Sequence, residues 1–286
     1  MSVAPTPVSG LFARIYREIL ADRASLPSMP DVALRIRAAM QRPNYSAATV
    51  ARVVQADPGT SAYLIRIANS ALYAGVAPIR DVENAVARLG MDTTRNLVTA
   101  HAFRSMFKTR SPVLSRLMQD TWRKSARLAA LAFVIAGRCP SFSPDRAMLA
   151  GLLQNIGVLP LLNALEDGAQ PLPEANRILS TIEAFSSKIG AVLLEHWDFD
   201  ADMVEVARSR GDWWRNPQPE PDLADLVLVA QLHASVGGDD MDRLPLINEM
   251  PAFLKLPLGE LGPDQSLEFF RAAESEVQEL TQMLGV

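Results

Sequence analysis

The chain has 286 residues, 49% hydrophobic and 21% charged, with a net charge of −4 and a single cysteine. That length and apolar content supply a core for one large or two packed domains and exclude a disordered chain. Cys139 alone excludes an internal disulfide or a thiolate cage, and the acidic balance argues against dedicated nucleic-acid binding. The longest apolar run, Leu128 to Gly137, falls short of the ~20 residues that cross a bilayer, so no membrane span is expected. The opening MSVAPTPVSG carries neither a basic nor an apolar export region, which makes the cytoplasm the expected location. No GxGxxG or GxxxxGK[ST] loop is present to cradle phosphates.

In chain order, nearly every segment reads as helix. Leu11, Phe12, Ile15 and Ile19 give residues 1–21 an apolar stripe. Pro27 and Pro30 interrupt, and Asp31 is placed as the cap of a helix whose Val32, Ile36 and Met40 face inward. Ser46 caps a helix with Val50, Val53 and Val54. Asp57-Pro58 is a stronger start, because the carboxylate accepts from free N–H groups and proline at the first position wastes no donor. Leu64, Ile65, Ala68 and Leu72 form that helix's buried stripe, and Gly90 ends the helix begun near Asp81. Ser111-Pro112 opens a helix reaching about Gly137, and Ser143-Pro144-Asp145 opens the next. Further helices fit residues 174–195, 201–210, 222–236 and 264–284. No alternating β-branched run competes, and the expected fold is all-α in two packed helical lobes.

Charge is uneven. Arg and Lys dominate from Arg95 to Arg138, where Asp120 is the acid, whereas residues 195–225 and 260–286 are acidic. This fits solvated faces and ion pairs, or a basic groove for phosphates or an acidic partner. His101, His196 and His233 lie far apart in sequence without HxxxH or HExxH spacing. His196 with Asp198 and Asp202 is the remaining metal alternative. Cys139, beside Pro140, reads as a buried thiol, and Asp239-Asp240 in GGDDMD reads as a turn.

Four segments, LPSMPDVALRIRAAM (26–40), VVQADPGTSAYLIRIANSALY (53–73), IRDVENAVARLGMDTTRNLV (79–98) and AGLLQNIGVLPLL (150–162), occur in an order that resembles an HDOD domain. The resemblance covers about residues 22–215. It implies an HD-like multi-helix fold of bacterial signalling proteins, related to the HD and HD-GYP metal-dependent phosphohydrolases but non-catalytic. The expected lobes are 22–110 and an HD-like lobe 111–215, with 216–286 completing the second. Within the motif, Asp57 and Pro58 start a helix, while Asn69 and Ser70 suit hydrogen bonds that anchor the following loop.

The resemblance also implies where metal ligands would stand. The first His position falls at Lys124, the His-Asp pair at Gln154-Asn155, the later His pair near Arg210-Gly211, and the last Asp at Gln231. Amides replace imidazole and carboxylate poorly. At ~4 Å and an effective dielectric of ~20, Lys124 would repel a unit charge by about 4 kcal/mol, and a dication by about twice that. No catalytic residue, metal or cofactor is expected. The leading expectation is a helical scaffold for a signalling protein, such as a receiver-domain protein or a cyclic di-GMP enzyme. Its interface candidates are Arg104, Lys108, Arg110, Trp213 and Trp214. A second reading is a sensor of a phosphate or cyclic nucleotide at Lys124, Gln154, Asn155 and Gln231; a third is residual phosphohydrolase activity. The C-terminal helix, with Leu267, Phe270, Val277 and Leu280, is expected to dock on the second lobe or on another copy, which leaves a homodimer open.

Overall fold

The computed structural model describes residues 16–19, 21, 26–42, 45–73, 75, 77–168, 172–237, 242, 244–260, 268–269 and 271–286. Leu11, Phe12 and Ile15, the Asp239-Asp240 turn, residues 264–267 and Phe270 lie outside them. The described residues contain helices and no strand, so the fold is all-α.

The chain forms two compact units. One comprises Met29–Met106 with Gln282–Val286; the other comprises Phe107–Thr281 with the described part of Met1–Ser28. The division thus falls slightly before the expected residue 110, and the last five residues leave the second lobe for the first.

The smaller unit holds α1 (Asp31–Met40), α2 (Ala47–Gln55), α3 (Pro58–Ala68), α4 (Val82–Leu89) and α5 (Met91–Arg104). α1 packs on α2 and α5, and α4 packs on α2, α3 and α5. Side chains start three of these helices as expected: Ser46 Oγ accepts from Thr49 N, Asp57 from Thr60 N, and Asp81 from Asn84 N. Asp31 does not cap. Pro30 takes that place, and Asp31 in the first turn pairs with Arg35 one turn on, at 2.9 Å. The buried face of α1 is Ala33, Ile36 and Ala39, so Val32 and Met40 are half-buried. On α3 the burial centres on Tyr63, Leu64, Ile67 and Ala68, which leaves Ile65 and Leu72 half-buried.

The larger unit holds α6 (Pro112–Ala136), α7 (Pro144–Leu153), α8 (Val158–Gly168), α9 (Ala175–His196), α10 (Ala201–Arg208), α11 (Leu223–Ser235), α12 (Pro251–Lys255) and α13 (Glu274–Met283), the last running into the boundary. Its centre is α11, which is mostly apolar, buried on nearly every side, and packs on α6, α7, α10 and α12. Helices α6 and α7 approach through alanine and glycine. A Cβ on Gly151 would stand 2.8 Å from Ala129 Cα, so no larger residue fits that seam. The apolar stretch Pro144–Asp167 is long enough to cross a bilayer, yet 83% of its most apolar window is buried within this unit.

The turn between α7 and α8, residues 154–157, is pressed on α9. A Cβ on Gly157 would lie 2.0 Å from Ser186 O and 2.4 Å from Gly190 N. Gly90 differs: it joins α4 to α5 at φ +80 with nothing near its absent Cβ. Gly157→Ala is therefore expected to cost about 3 kcal/mol or more through a backbone clash. Gly90→Ala is expected to cost only about 1–2 kcal/mol, from the left-handed backbone. Urea unfolding of both variants measures the contrast.

Candidate functional site

Three elements meet at positions to which the family resemblance assigns metal ligands. Helix α6 supplies Ser125, fully buried; the 154–157 turn supplies Gln154 and Asn155; and the segment after α10 supplies Arg210 and Gly211. Asn155 lies between two partners. Its Nδ2 donates to Ser125 Oγ at 3.0 Å, and its Oδ1 accepts from Arg210 Nε at 2.7 Å. One residue on, the backbone N–H of Gly211, in the left-handed region at φ 75, donates to Gln231 Oε1 of α11 at 3.2 Å. Gln154 is 1% exposed, and neither side-chain atom has a protein partner.

The structure therefore unites Asn155 and Gln231 with the 210–211 segment but leaves Lys124 out. Lys124 is exposed on α6, and its neighbour Ser125 is the residue that reaches Asn155. The cation belongs to Arg210. Burial pulls the Arg210 pKa below the usual arginine value, with Glu183 acting the other way. A guanidinium remains charged at neutral pH even so. A dication within about 4 Å of it would meet repulsion of about 8 kcal/mol at an effective dielectric of ~20. Hydroxyl, amide and guanidinium groups do not suit a divalent metal that activates water. Among the described residues, no three His, Cys, Asp or Glu side chains stand together to hold one. Asp200 and Asp202 instead pair with Arg146, at 2.7 and 3.3 Å, and His196 ends α9 exposed. Cys139 is buried, which pushes its thiol pKa up and away from nucleophilic reactivity.

A second polar cluster braces the same unit. Asp225, fully buried in α11, accepts from Arg215 Nη1 at 2.8 Å and from Lys255 Nζ at 3.1 Å. Arg215 also bonds Asp222 Oδ2 at 2.5 Å and Glu205 at 3.4 Å. Burial would lower the Arg215 pKa, but these carboxylates outweigh it and raise it. The loop ahead of α11 is thereby fixed. On that loop Trp213 is half-buried and Trp214 is 59% exposed, beside the buried Arg215. Arg215 directly follows the two tryptophans in sequence, and its buried network forms only once α11 supplies Asp225.

The motif residues of the smaller unit are structural. Asp57 accepts from the Thr60 hydroxyl and backbone N–H, and the hydroxyl contact is the main cause of its lowered pKa. Asn69 clamps the loop that follows: Oδ1 accepts from Ile79 N, and Nδ2 donates to Ile79 O, both at 2.7 Å. Arg88 assists by donating to Ala68 O and Ala77 O. Ser70 departs from expectation, since its buried Oγ has no hydrogen-bond partner. Of the basic candidates, Arg104 is covered in part by its own chain. A Cβ on Gly285 would stand 2.0 Å from Arg104 Nη1, so the C-terminal residues lie against the guanidinium. Lys108 and Arg110 are exposed, and the Arg110 backbone N–H donates to Glu166 at 2.7 Å.

Near Gln231 on the same helix, His233 is buried, and desolvation lowers its pKa to about 4. The unfolded chain, with a histidine pKa of about 6.5, then binds the proton that the folded state refuses. Stability is expected to fall as pH drops from about 6.5 to about 4, by up to about 3 kcal/mol, and to level off below. Urea midpoints at neutral and acid pH should show this slope, and His233→Gln should flatten it.

A family model for the HDOD domain matches residues 26–212. An uncharacterised protein of Treponema pallidum (strain Nichols) is 22% identical over 228 residues, which is 74% of this chain and 43% of that protein. The chain thus spans less than half the length of this curated relative. Among solved structures, a candidate metal-dependent phosphohydrolase of Shewanella amazonensis SB2B superposes with a TM-score of 0.81 at 24% identity, covering 97% of this chain and 99% of that one. An HDOD domain protein of unknown function from Geobacter sulfurreducens gives a TM-score of 0.68 at 22% identity, over 97% and 98% of the two chains. A protein of Marinobacter aquaeolei VT8 described under signal transduction gives 0.62 at 22%, over 98% and 66%. At these identities the solved structures share a fold with this chain, and the family match covers well over half of its length: the chain belongs to the HDOD domain family.

Proposed function

We propose that this protein is a non-enzymatic regulatory scaffold of bacterial signal transduction. The observation that carries the reading is Asn155 held between Ser125 and Arg210, a hydrogen-bonded pairing with a guanidinium where the family resemblance would put a metal centre. A fold that keeps its helices without metal ligands acts through shape and surface. The Marinobacter aquaeolei VT8 protein of the same fold, described under signal transduction, supports this placing. Trp214 supplies the kind of rigid aromatic anchor that interfaces use, on a loop fixed by Arg215. The partner is a signalling protein of the receiver-domain or cyclic di-GMP enzyme class. The internal pairing of Asn155 weighs against the sensor reading at this centre, since a ligand there must first displace Ser125 or Arg210.

The test is hydrolysis of bis(p-nitrophenyl) phosphate with Mn²⁺, Mg²⁺ or Fe²⁺. The expected rate equals that of the metal alone; turnover that requires the protein and is abolished by chelation would overturn the reading. With an identified partner, Trp214→Ala should weaken capture by tenfold or more, the loss of about 2 kcal/mol typical of a central aromatic anchor, without shifting the unfolding midpoint.

A further inference from the structure

The smaller unit contains an open cleft of about 620 Å³ that none of the foregoing uses. Three of its lining residues are Arg35, Arg42 and Arg52, joined by Tyr45, Thr49 and Val53. Helix geometry explains the gathering. Thr49, Arg52 and Val53 lie on one face of α2, one turn apart, while Arg35 on α1 and Arg42 just past its end are two turns apart. Ser46 caps the end of α2 nearest Thr49 and shares a hydrogen bond with its hydroxyl at 3.1 Å.

We propose that this cleft binds a small phosphate-bearing molecule with a planar ring. Three guanidiniums line it, and among the described residues no carboxylate does. Asp31 engages only Arg35, through Nε at 2.9 Å. Arg52 uses Nε on Ala48 O of its own helix, and neither Arg42 nor Arg52 has an acidic partner among the described residues. Like charges thus line one cleft, two of them without an acidic partner among the described residues, and an anion would compensate them. The guanidinium fork matches phosphate oxygens in bidentate fashion. Tyr45 is 41% exposed and offers a ring face, with Val53 as an apolar wall. The volume lies in the range of small-molecule sites, and a concave shape favours a compact ligand over an extended acidic peptide. This site is independent of the centre at Asn155, so it stands whether or not the scaffold reading does.

Calorimetric titration at low salt with inorganic pyrophosphate, adenosine 5′-diphosphate and adenosine tests it. Both phosphates are expected to bind with Kd at or below about 1 mM, and adenosine at least about tenfold more weakly than the diphosphate. The double variant Arg42→Ala/Arg52→Ala should lose about tenfold or more for both phosphates. Tyr45→Ala should weaken only the nucleotide, with helix content unchanged by circular dichroism, and added salt should weaken both. Absence of heat with either phosphate at several millimolar, equal affinity of the double variant, or binding of a polyglutamate peptide without binding of phosphate would each overturn the proposal.

Discussion

The close approach of the 154–157 turn to α9 is the constraint on which the candidate centre depends. Two glycines, Gly157 and Gly190, face each other across it, and a methyl group on the first would overlap the Ser186 carbonyl. Backbone can meet backbone only where side chains are missing, and at this seam that requirement fixes where Gln154 and Asn155 stand. The same logic runs one turn earlier, where Gly151 lets α7 lie on Ala129 of α6. Ser125, four residues before Ala129, is thereby brought within 3.0 Å of Asn155. Position at this centre is set by what the helices lack.

What occupies the position is set by charge. A metal site gathers negative and neutral donors around a cation; here the cation is covalently part of the chain. Arg210 donates to an amide oxygen, a weaker arrangement than an ion pair, and its burial is partly offset by Glu183. The protein uses the stronger device elsewhere. Asp225, at the heart of an apolar helix, would be untenable without Arg215 and Lys255, because an unpaired buried carboxylate costs several kcal/mol. Full ionic compensation thus fixes the loop before α11, whereas the 154–157 centre is held by neutral and singly charged hydrogen bonds.

Much of this was legible in the sequence, for reasons that differ from element to element. Ser111-Pro112, Ser143-Pro144 and Asp57-Pro58 announce helix starts because capping and proline act within four residues. Asn69 was readable as an anchor for the same local reason, although its partner Ile79 lies ten residues on. Asp31 misled because Pro30 already occupies the capping backbone position. Lys124 stands apart from Asn155 because neighbouring residues on a helix point about a hundred degrees apart: it is exposed, while Ser125 beside it is buried and bonds Asn155. Arg42 and Arg52 carried no local signal, since only the packing of α1 on α2 brings them to one cleft.

The cleft and the buried centre differ in what a change of charge costs. At the Asn155 centre every change of charge must be balanced inside a packed unit, and Asn155, Ser125 and Arg210 use much of the hydrogen-bonding capacity there. An exposed helix face is under no such restraint. Arg35 pairs only with the exposed Asp31, Arg42 and Arg52 have no acidic partner among the described residues, and all three lie outside the buried Ala33, Ile36, Val50 and Val54. Substitutions in a surface groove between two short helices therefore cost little in stability. The buried centre, by contrast, is held by Ser125, Asn155 and Arg210, whose hydroxyl, amide and guanidinium groups are poor donors to a divalent metal.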